Sequence, residues 1–556
     1  MRMRRLKLTA FLVLFFALFV TLNSQCEADL ILINGHIFTV EKSHPWVQAC
    51  AVKNGRFTAL GDNNFIKKFQ GENTRVIELN QRLAVPGFND SHVHFLDGGL
   101  YLLGINLRGA ADENEFKKRI QNYAGKLGKG EWILGGYWDH EAWPSKKHPT
   151  KELIDEITGD NPVFINRLDG HVALANSLAL KLSGITADTP DPQGGEIVKD
   201  PKTGEPTGIL KDIAQDLVNN VIPPPRKDQL EKAIKKALAH ANSLGLTSIQ
   251  DNTSARIFEV YQEFLEKNQL TLRINVWRSV DFSENFEKIG IVSNFGSDML
   301  RLGTIKIFVD GSMGAGTALF YDPYSDNKTT AGIPIYPENK LYSLVKSVDK
   351  AGLQVAAHAI GDKANTWILN AFERAFGENG EREARHRVEH AQVVLPEDLP
   401  RFKELGIIAS IQPSHCIDDM RWAEKRIGNR VKNSYLFNSF VKAGVKVAFG
   451  TDWPVESLDP MLTLYAAVTR EFSEGGPEGG WFPQEKITLE QAIEFYTLGA
   501  AYAEFQEKNK GSVKIGKLAD LVVLDKNLFN IPAKEILNTK VDLTILGGKV
   551  VYRRKQ

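Results

Sequence analysis

Two rhythms of apolar and polar positions share this chain. Near both ends, short apolar runs are broken by tight polar turns. LILINGHIFTV and ACAVKNGRFTALG each set Asn-Gly between apolar stretches, and that pair tolerates the left-handed backbone a two-residue hairpin needs. KLADLVVLD followed by VDLTILGGKVVY repeats the device at the far end, with Gly547-Gly548 as the turn. Neither group of strands is long enough to bury a sheet face alone. The pattern therefore predicts one small β-sandwich drawn from residues 29–85 and 508–556.

Between them the period changes. DQLEKAIKKALAHANSLG spaces Leu230, Ile234, Ala237, Leu238 and Ala241 along one helical face; Gly245 closes the helix and LTSIQD follows as a strand. The same succession recurs in KAGLQVAAHAIGD, KELGIIASIQPSH and KAGVKVAFGTD, with caps at Gly352, Gly406 and Gly444. Repeated helix, cap and strand predict a parallel sheet, and a (β/α)8 TIM-like barrel over residues 86–507 suits the length. A doubly wound open sheet is the alternative fold. Against it, no strand is followed by a Gly-x-Gly-x-x-Gly or phosphate-binding loop.

In such a barrel the reactive groups stand at the C-terminal ends of strands. PGFNDSHVHF carries His92 and His94 two residues apart, on one side of an extended run. Lys306 lies within RLGTIKIFVDGS and Asp310 at its end; His358 ends LQVAAHAIGD, His390 ends ARHRVEHAQ, and Asp452 follows VKVAFG. Singly, each has an ordinary explanation: a packed histidine, as His386 illustrates, a turn-capping aspartate before Pro454, a snorkelling lysine. Jointly, at the ends of strands of one barrel, they read as a split metal site. Four imidazoles and one carboxylate suit Zn²⁺ or a similar divalent ion. Lys306 can join them deprotonated, or N-carboxylated as a carbamate bridging two ions.

Composition narrows the setting. With 556 residues, 43% hydrophobic and 24% charged, the chain is globular and exceeds one ordinary core. Its 68 basic residues balance 68 acidic ones, which argues against nucleic acid or an anionic membrane surface as partner. Arg2, Arg4, Arg5 and Lys7 precede an apolar run from Thr9 to Leu22, so residues 1–28 read as a signal peptide or, second, a signal anchor. That predicts the secretory pathway, in the endoplasmic reticulum or its perinuclear part, or secretion. Membrane contact is expected only through this segment if it is uncleaved. Of three glycosylation sequons, Asn89 falls inside the site strand and Asn252 beside a strand, whereas Asn327 sits in a polar loop and is the best acceptor. Cys50 and Cys416, beyond the signal segment, define no disulfide framework.

PGFNDSHVHF, NRLDGHVALANS, IKIFVDGSMGAGTALFYDPY, AAHAIGD, RVEHAQ and FGTDWPVES together resemble the amidohydrolase superfamily, in its YtcJ-like (amidohydrolase-3) branch, which includes N-substituted formamide deformylases. The resemblance implies a barrel flanked by a sandwich of both chain ends. It carries the metal-centre roles onto His92, His94, Lys306, His358, His390 and Asp452, with one ion or two left open. His171 in LDGHVALAN matches a branch-specific histidine near the substrate, with helix capping as its plainer role. Trp138 and Asp139 in GGYWDHEAWP are candidates for the pocket wall, with packing the ordinary use of such an aromatic.

The activity expected is metal-assisted hydrolysis of a carbon–nitrogen bond other than a peptide bond, in an amide or N-formyl or N-acyl amine, with Asp452 moving the proton. The alternatives are a signalling or regulatory protein on the same scaffold with little turnover, and, within catalysis, ester or phosphoester hydrolysis. The partner expected is a small-molecule substrate, with a homodimer as the default assembly.

Overall fold

The computed structural model describes residues 27–555 except 141–142, 168–171, 193–194 and 254. The apolar N-terminal run and His171 thus lie outside the described residues. Among the described residues no helix is long and apolar enough to cross a membrane.

Both chain ends build the sandwich. One sheet holds Leu30–Ile33, Ala49–Lys53, Arg56–Gly61 and Arg75–Glu78. The other holds His36–Phe38, Trp46–Val47 and Leu83–Pro86 with the C-terminal strands Leu521–Leu524, Val541–Leu546 and Lys549–Arg553. Leu30, Leu32, Val52 and Phe57 of the first meet Ile37, Ala84, Leu521, Val523 and Ile545 of the second in one apolar core. Leu521–Leu524 runs antiparallel to Leu83–Pro86, with Val522 opposite Val85. Asn34 and Asn54 adopt φ of 56° and 51°, as their Asn-Gly turns require.

The barrel strands are β1 Phe88–Val93, β2 Leu246–Asn252, β3 Arg273–Ser279, β4 Leu300–Phe308, β5 Gln354–Ala359, β6 Arg387–His390, β7 Ile408–Ile411 and β8 Lys446–Phe449. They pair in parallel in chain order from β1 to β8, and a bridge between Val93 and Trp453 draws the two ends of the sheet together into a nearly closed ring. The capping glycines Gly245, Gly352, Gly406 and Gly444 all have φ between 67° and 87°, the left-handed turn that ends a helix before the next strand. PGFNDSHVHF marks the handover: Pro86 ends a sandwich strand, Phe88 begins β1, and Phe95 opens the helix Phe95–Leu103.

Residues Leu96–Ala237 form a separate compact unit, inserted in the chain between β1 and β2. Its six-stranded sheet is mixed: Val163–Arg167 runs parallel to Ile133–Trp138 but antiparallel to Val172–Ala175. The rhythm of the chain predicts one barrel through 86–507, and this insertion departs from it. Short helices and strands alternate in this insertion too, so alternation alone does not separate it from barrel repeats. Trp138, expected at a pocket wall, is fully buried there with Phe116, Trp143 and Ile165, and its indole N–H donates to the Ile165 carbonyl at 3.0 Å. Its role is packing. Asp139 pairs with Arg167 at 2.9 Å.

Candidate metal centre

The seam between β1 and β8 sets the centre. Asp90 is buried on β1, and its Oδ1 accepts the Thr451 N–H at 3.0 Å and the His92 N–H at 3.1 Å. Its Oδ2 accepts the Thr451 and Tyr496 hydroxyls, each at 2.8 Å. The Asp452 N–H donates to the His92 carbonyl at 2.7 Å, and the His94 N–H to the Trp453 carbonyl at 2.8 Å. A Cβ on Gly450 would stand 2.7 Å from the His92 nitrogen, so only glycine permits this approach. The carboxylate that follows β8 is thereby held against the histidines of β1.

His94 Nε2 lies 3.2 Å and His92 Nε2 3.5 Å from Asp452 Oδ1. Two groups each bring their ligand atoms within 4.8 Å of one another: His92, His94 and Asp452, and His390, His415 and Asp452. Lys306 Nζ is 3.1 Å from His92 Nε2, beneath the rings of Trp277 and Phe308. The His358 ring meets that of His390 at 4.5 Å, but its Nε2 bonds the Gly311 carbonyl at 3.1 Å. All six expected positions therefore converge, and His415 joins them.

Backbone strain is concentrated here. His390 has φ of 72° and Asp452 60°, sparsely populated for residues with side chains. Strict strand alternation would send Arg387 and Glu389 inward and His390 outward. The left-handed turn at His390 and Ala391 ends the strand and brings the imidazole back to the centre.

Burial tunes the groups in a consistent direction. It pushes the His92 imidazole down to about 4 and His358 to about 3, helped in both by the Lys306 charge. Burial also lowers His390 strongly. Neutral imidazoles are what metal ligation requires. For Asp452 burial acts the other way, but the surrounding imidazoles of His92, His94 and His390 outweigh it and hold the carboxyl well below its ordinary range. Burial brings the Lys306 ammonium down to about 8, which eases access to the neutral amine that carboxylation needs.

The donor set fits a divalent cation on its own geometry. His415 Nε2 is a buried atom with no hydrogen-bond partner among the described residues, and Asp452 Oδ1 is buried with only the His92 and His94 imidazoles, at 3.5 and 3.2 Å, turned towards it. Buried polar atoms are normally satisfied, and oriented atoms that are not mark a binding role. His92 Nδ1 stands 2.9 Å from Glu389 Oε2, at hydrogen-bond distance though off the ideal angle, the placement that an outer carboxylate takes behind a metal-binding imidazole.

Two residues escaped the sequence reading. Glu389 adjoins His390 in RVEH, and its signal was a charged pair, Arg387 and Glu389, facing one way inside a strand. The pair is fully buried, and Arg387 also donates to Gln250, the Ser91 carbonyl and the Ser410 hydroxyl, tying four strands together across the barrel interior. His415 stands at the start of the helix Pro413–Asp419, just past the end of β7. Because it lies on a helix and not at a strand end, the strand pattern gives no sign of it. His386 is structural, bonded to Asp349 and stacked on Phe372 and Phe376.

A barrel with imidazoles, a lysine and a carboxylate gathered at one end of its strands is the architecture of a metal-dependent hydrolase scaffold. The chain belongs to the amidohydrolase family, whose sequence profile matches residues 75–552. It is 38% identical over 94% of its length to Protein LONG AFTER FAR-RED 3 of Arabidopsis thaliana, of which 92% is covered. It is 27% identical to the N-substituted formamide deformylase of Arthrobacter pascens, over 95% of this chain and 98% of that one. Among solved structures, a metal-dependent hydrolase from Pyrococcus horikoshii OT3 superposes with a TM-score of 0.77 at 29% identity, covering 91% of this chain and 99% of the other.

Proposed function

We propose that this protein hydrolyses a carbon–nitrogen bond other than a peptide bond in a small amide, of the N-formyl or N-acyl amine type. The observation that carries the reading is the Asp452 carboxylate lodged 3.2 and 3.5 Å from the paired imidazoles of His94 and His92 at the barrel mouth. A divalent ion held by such a set, Zn²⁺ being the best match to its imidazoles and carboxylate, would polarise a carbonyl and lower the pKa of water towards about 7. His92, His94, Lys306, His358, His390 and Asp452 are the residues proposed to hold it. Asp452 accepts the proton of the attacking water and returns it to the departing amine, a transfer that suits an ionised carboxylate beside neutral imidazoles. Glu389 fixes the His92 ring from behind. The likeness to a formamide deformylase supports the choice of bond.

The second reading, a regulatory protein with little turnover, draws on the relative named for a far-red phenotype rather than a reaction. Metal analysis combined with a screen of N-formyl and N-acyl amines separates the two. The hydrolase reading expects amine release that a chelator abolishes and added metal restores; stoichiometric metal with no release across the screen favours the regulator. The proposed setting is the secretory pathway, with residues 1–28 as its address and the exposed Asn327 as a glycan acceptor; Asn89 is buried on Glu504. The proposed partner is the small-molecule substrate, in a homodimer.

A further inference from the structure

Strand β4 sorts its side chains between two faces. Ile305, Ile307 and, just past its end, Val309 are fully buried on the face away from Lys306. Thr304, Lys306 and Phe308 share the other face, in that order towards the barrel mouth. The Thr304 hydroxyl donates to the Gln354 side-chain oxygen at 2.8 Å, and Lys306 Nζ stands beside His92. Exposure along this face runs 3%, 2% and then 41%. An aromatic ring is therefore displayed one step above Lys306, where the interior of the barrel opens.

Part of that ring is fixed against the centre. Phe308 lies in register with His358 on β5, their rings 5.4 Å apart, and Lys306 Nζ sits 4.9 Å from its centroid. The rest is free. Trp277 shows what a purely packing aromatic looks like in the same place. It meets Lys306 at 5.8 Å and the His92 ring at 5.2 Å, yet none of it is exposed. A second apolar side chain stands beside the end of β4: the Ile335 N–H donates to the Val309 carbonyl at 2.9 Å, and Ile335 is itself exposed. Apolar surface left open beside a polar centre is how small-molecule pockets work, the walls taking the bulk of the ligand while a few polar groups fix its orientation.

We propose that Phe308 is the wall on which the apolar substituent of the amide rests, and that the substrates carry a ring or a branched alkyl group there rather than hydrogen or methyl alone. The proposal rests on the hydrolase reading and names the substrate class for that site. Contact with a substituent remote from the reacting carbonyl holds the ground state and the transition state alike, so its effect falls on KM.

The test compares N-cyclohexylformamide and N-cyclohexylacetamide with their N-methyl counterparts on the metal-loaded full-length protein. Wild type is expected to favour the cyclohexyl amides by about 10–100-fold in kcat/KM. Phe308→Ala is expected to lose most of that preference, through KM rather than kcat, and Phe308→Leu to retain most of it. Elemental analysis follows the metal content of each variant. An unchanged cyclohexyl-to-methyl ratio in Phe308→Ala overturns the proposal, as does a loss of bound metal that lowers turnover of both kinds of substrate alike. Wild type releasing no amine from any of these amides refutes the hydrolase reading instead. Isothermal titration calorimetry then decides on Phe308: weaker binding of N-cyclohexylformamide to Phe308→Ala than to wild type supports the wall, and equal binding overturns it.

Discussion

Glu389 Oε2 stands 2.9 Å from His92 Nδ1, while the opposite nitrogen of that ring faces Lys306 and Asp452. The carboxylate is itself gripped by Arg387, so ring orientation is set from inside the barrel rather than by the strand alone. Glu389→Gln keeps the shape and an acceptor for Arg387 but removes the charge behind the imidazole. Metal affinity, read by competition with a chelator, is expected to fall about 10–100-fold. Unchanged affinity would show that β1 alone orients His92.

Asp452→Asn should leave the fold intact, since the backbone of Asp452 and its neighbours makes the seam bonds to His92 and Asp90. What it loses is the base. Turnover of an N-formyl or N-acyl amine substrate is expected to fall by about 10²–10⁴, measured as kcat on metal-saturated protein. Wild-type turnover in the variant would remove Asp452 from the proton transfer.

Acid should reveal the Arg387 and Glu389 pair. Burial alone would raise the Glu389 carboxyl, but Arg387 and His92 beside it hold it down, to about 2 against an ordinary 4.5. A folded-state value below the unfolded one contributes stability that is full above 4.5 and drains away as pH falls towards 2. Melting temperature is therefore expected to drop from pH 5 to pH 3, and to drop less steeply in Glu389→Gln. Equal slopes in the two proteins would contradict the assignment.

The sandwich and barrel are joined by a buried fork. Arg273, at the start of β3, donates from Nε and Nη2 to the two Asp520 oxygens at 2.7 and 2.9 Å. Asp520→Ala leaves a buried guanidinium without its counter-ion, which typically costs about 3–5 kcal/mol. Denaturant unfolding followed by tryptophan fluorescence measures it. A loss under about 1 kcal/mol, the range of surface pairs, would mean that water reaches Arg273 in the variant.

What could be read from the residues had local causes. Asn-Gly turns, capping glycines and ionisable groups at strand ends each leave a mark within a few positions, so the hairpins, the barrel rhythm and the convergence of His92, His94, Lys306, His358, His390 and Asp452 were legible. What escaped depends on placement in space. Glu389 acts through a partner on another strand, and His415 reaches the centre because its helix starts with Pro413 directly beyond β7. Trp138, a candidate for the pocket wall, takes instead the packing use that an aromatic ordinarily has: Gly135 and Gly136, with φ of 98° and 110°, lie in a strand whose register to its neighbour shifts just before the indole, which points into the core.

The pairing of Leu521–Leu524 with Leu83–Pro86 also sets a schedule for biosynthesis. The N-terminal apolar strands leave the ribosome long before the partner that completes their sheet has been made, a delay on the order of tens of seconds at ordinary rates of translation. Through that interval Leu83–Pro86 offers an open edge, which makes nascent chains the form of this protein most in need of chaperone cover. A C-terminal truncation ahead of Leu521 would make that temporary exposure permanent.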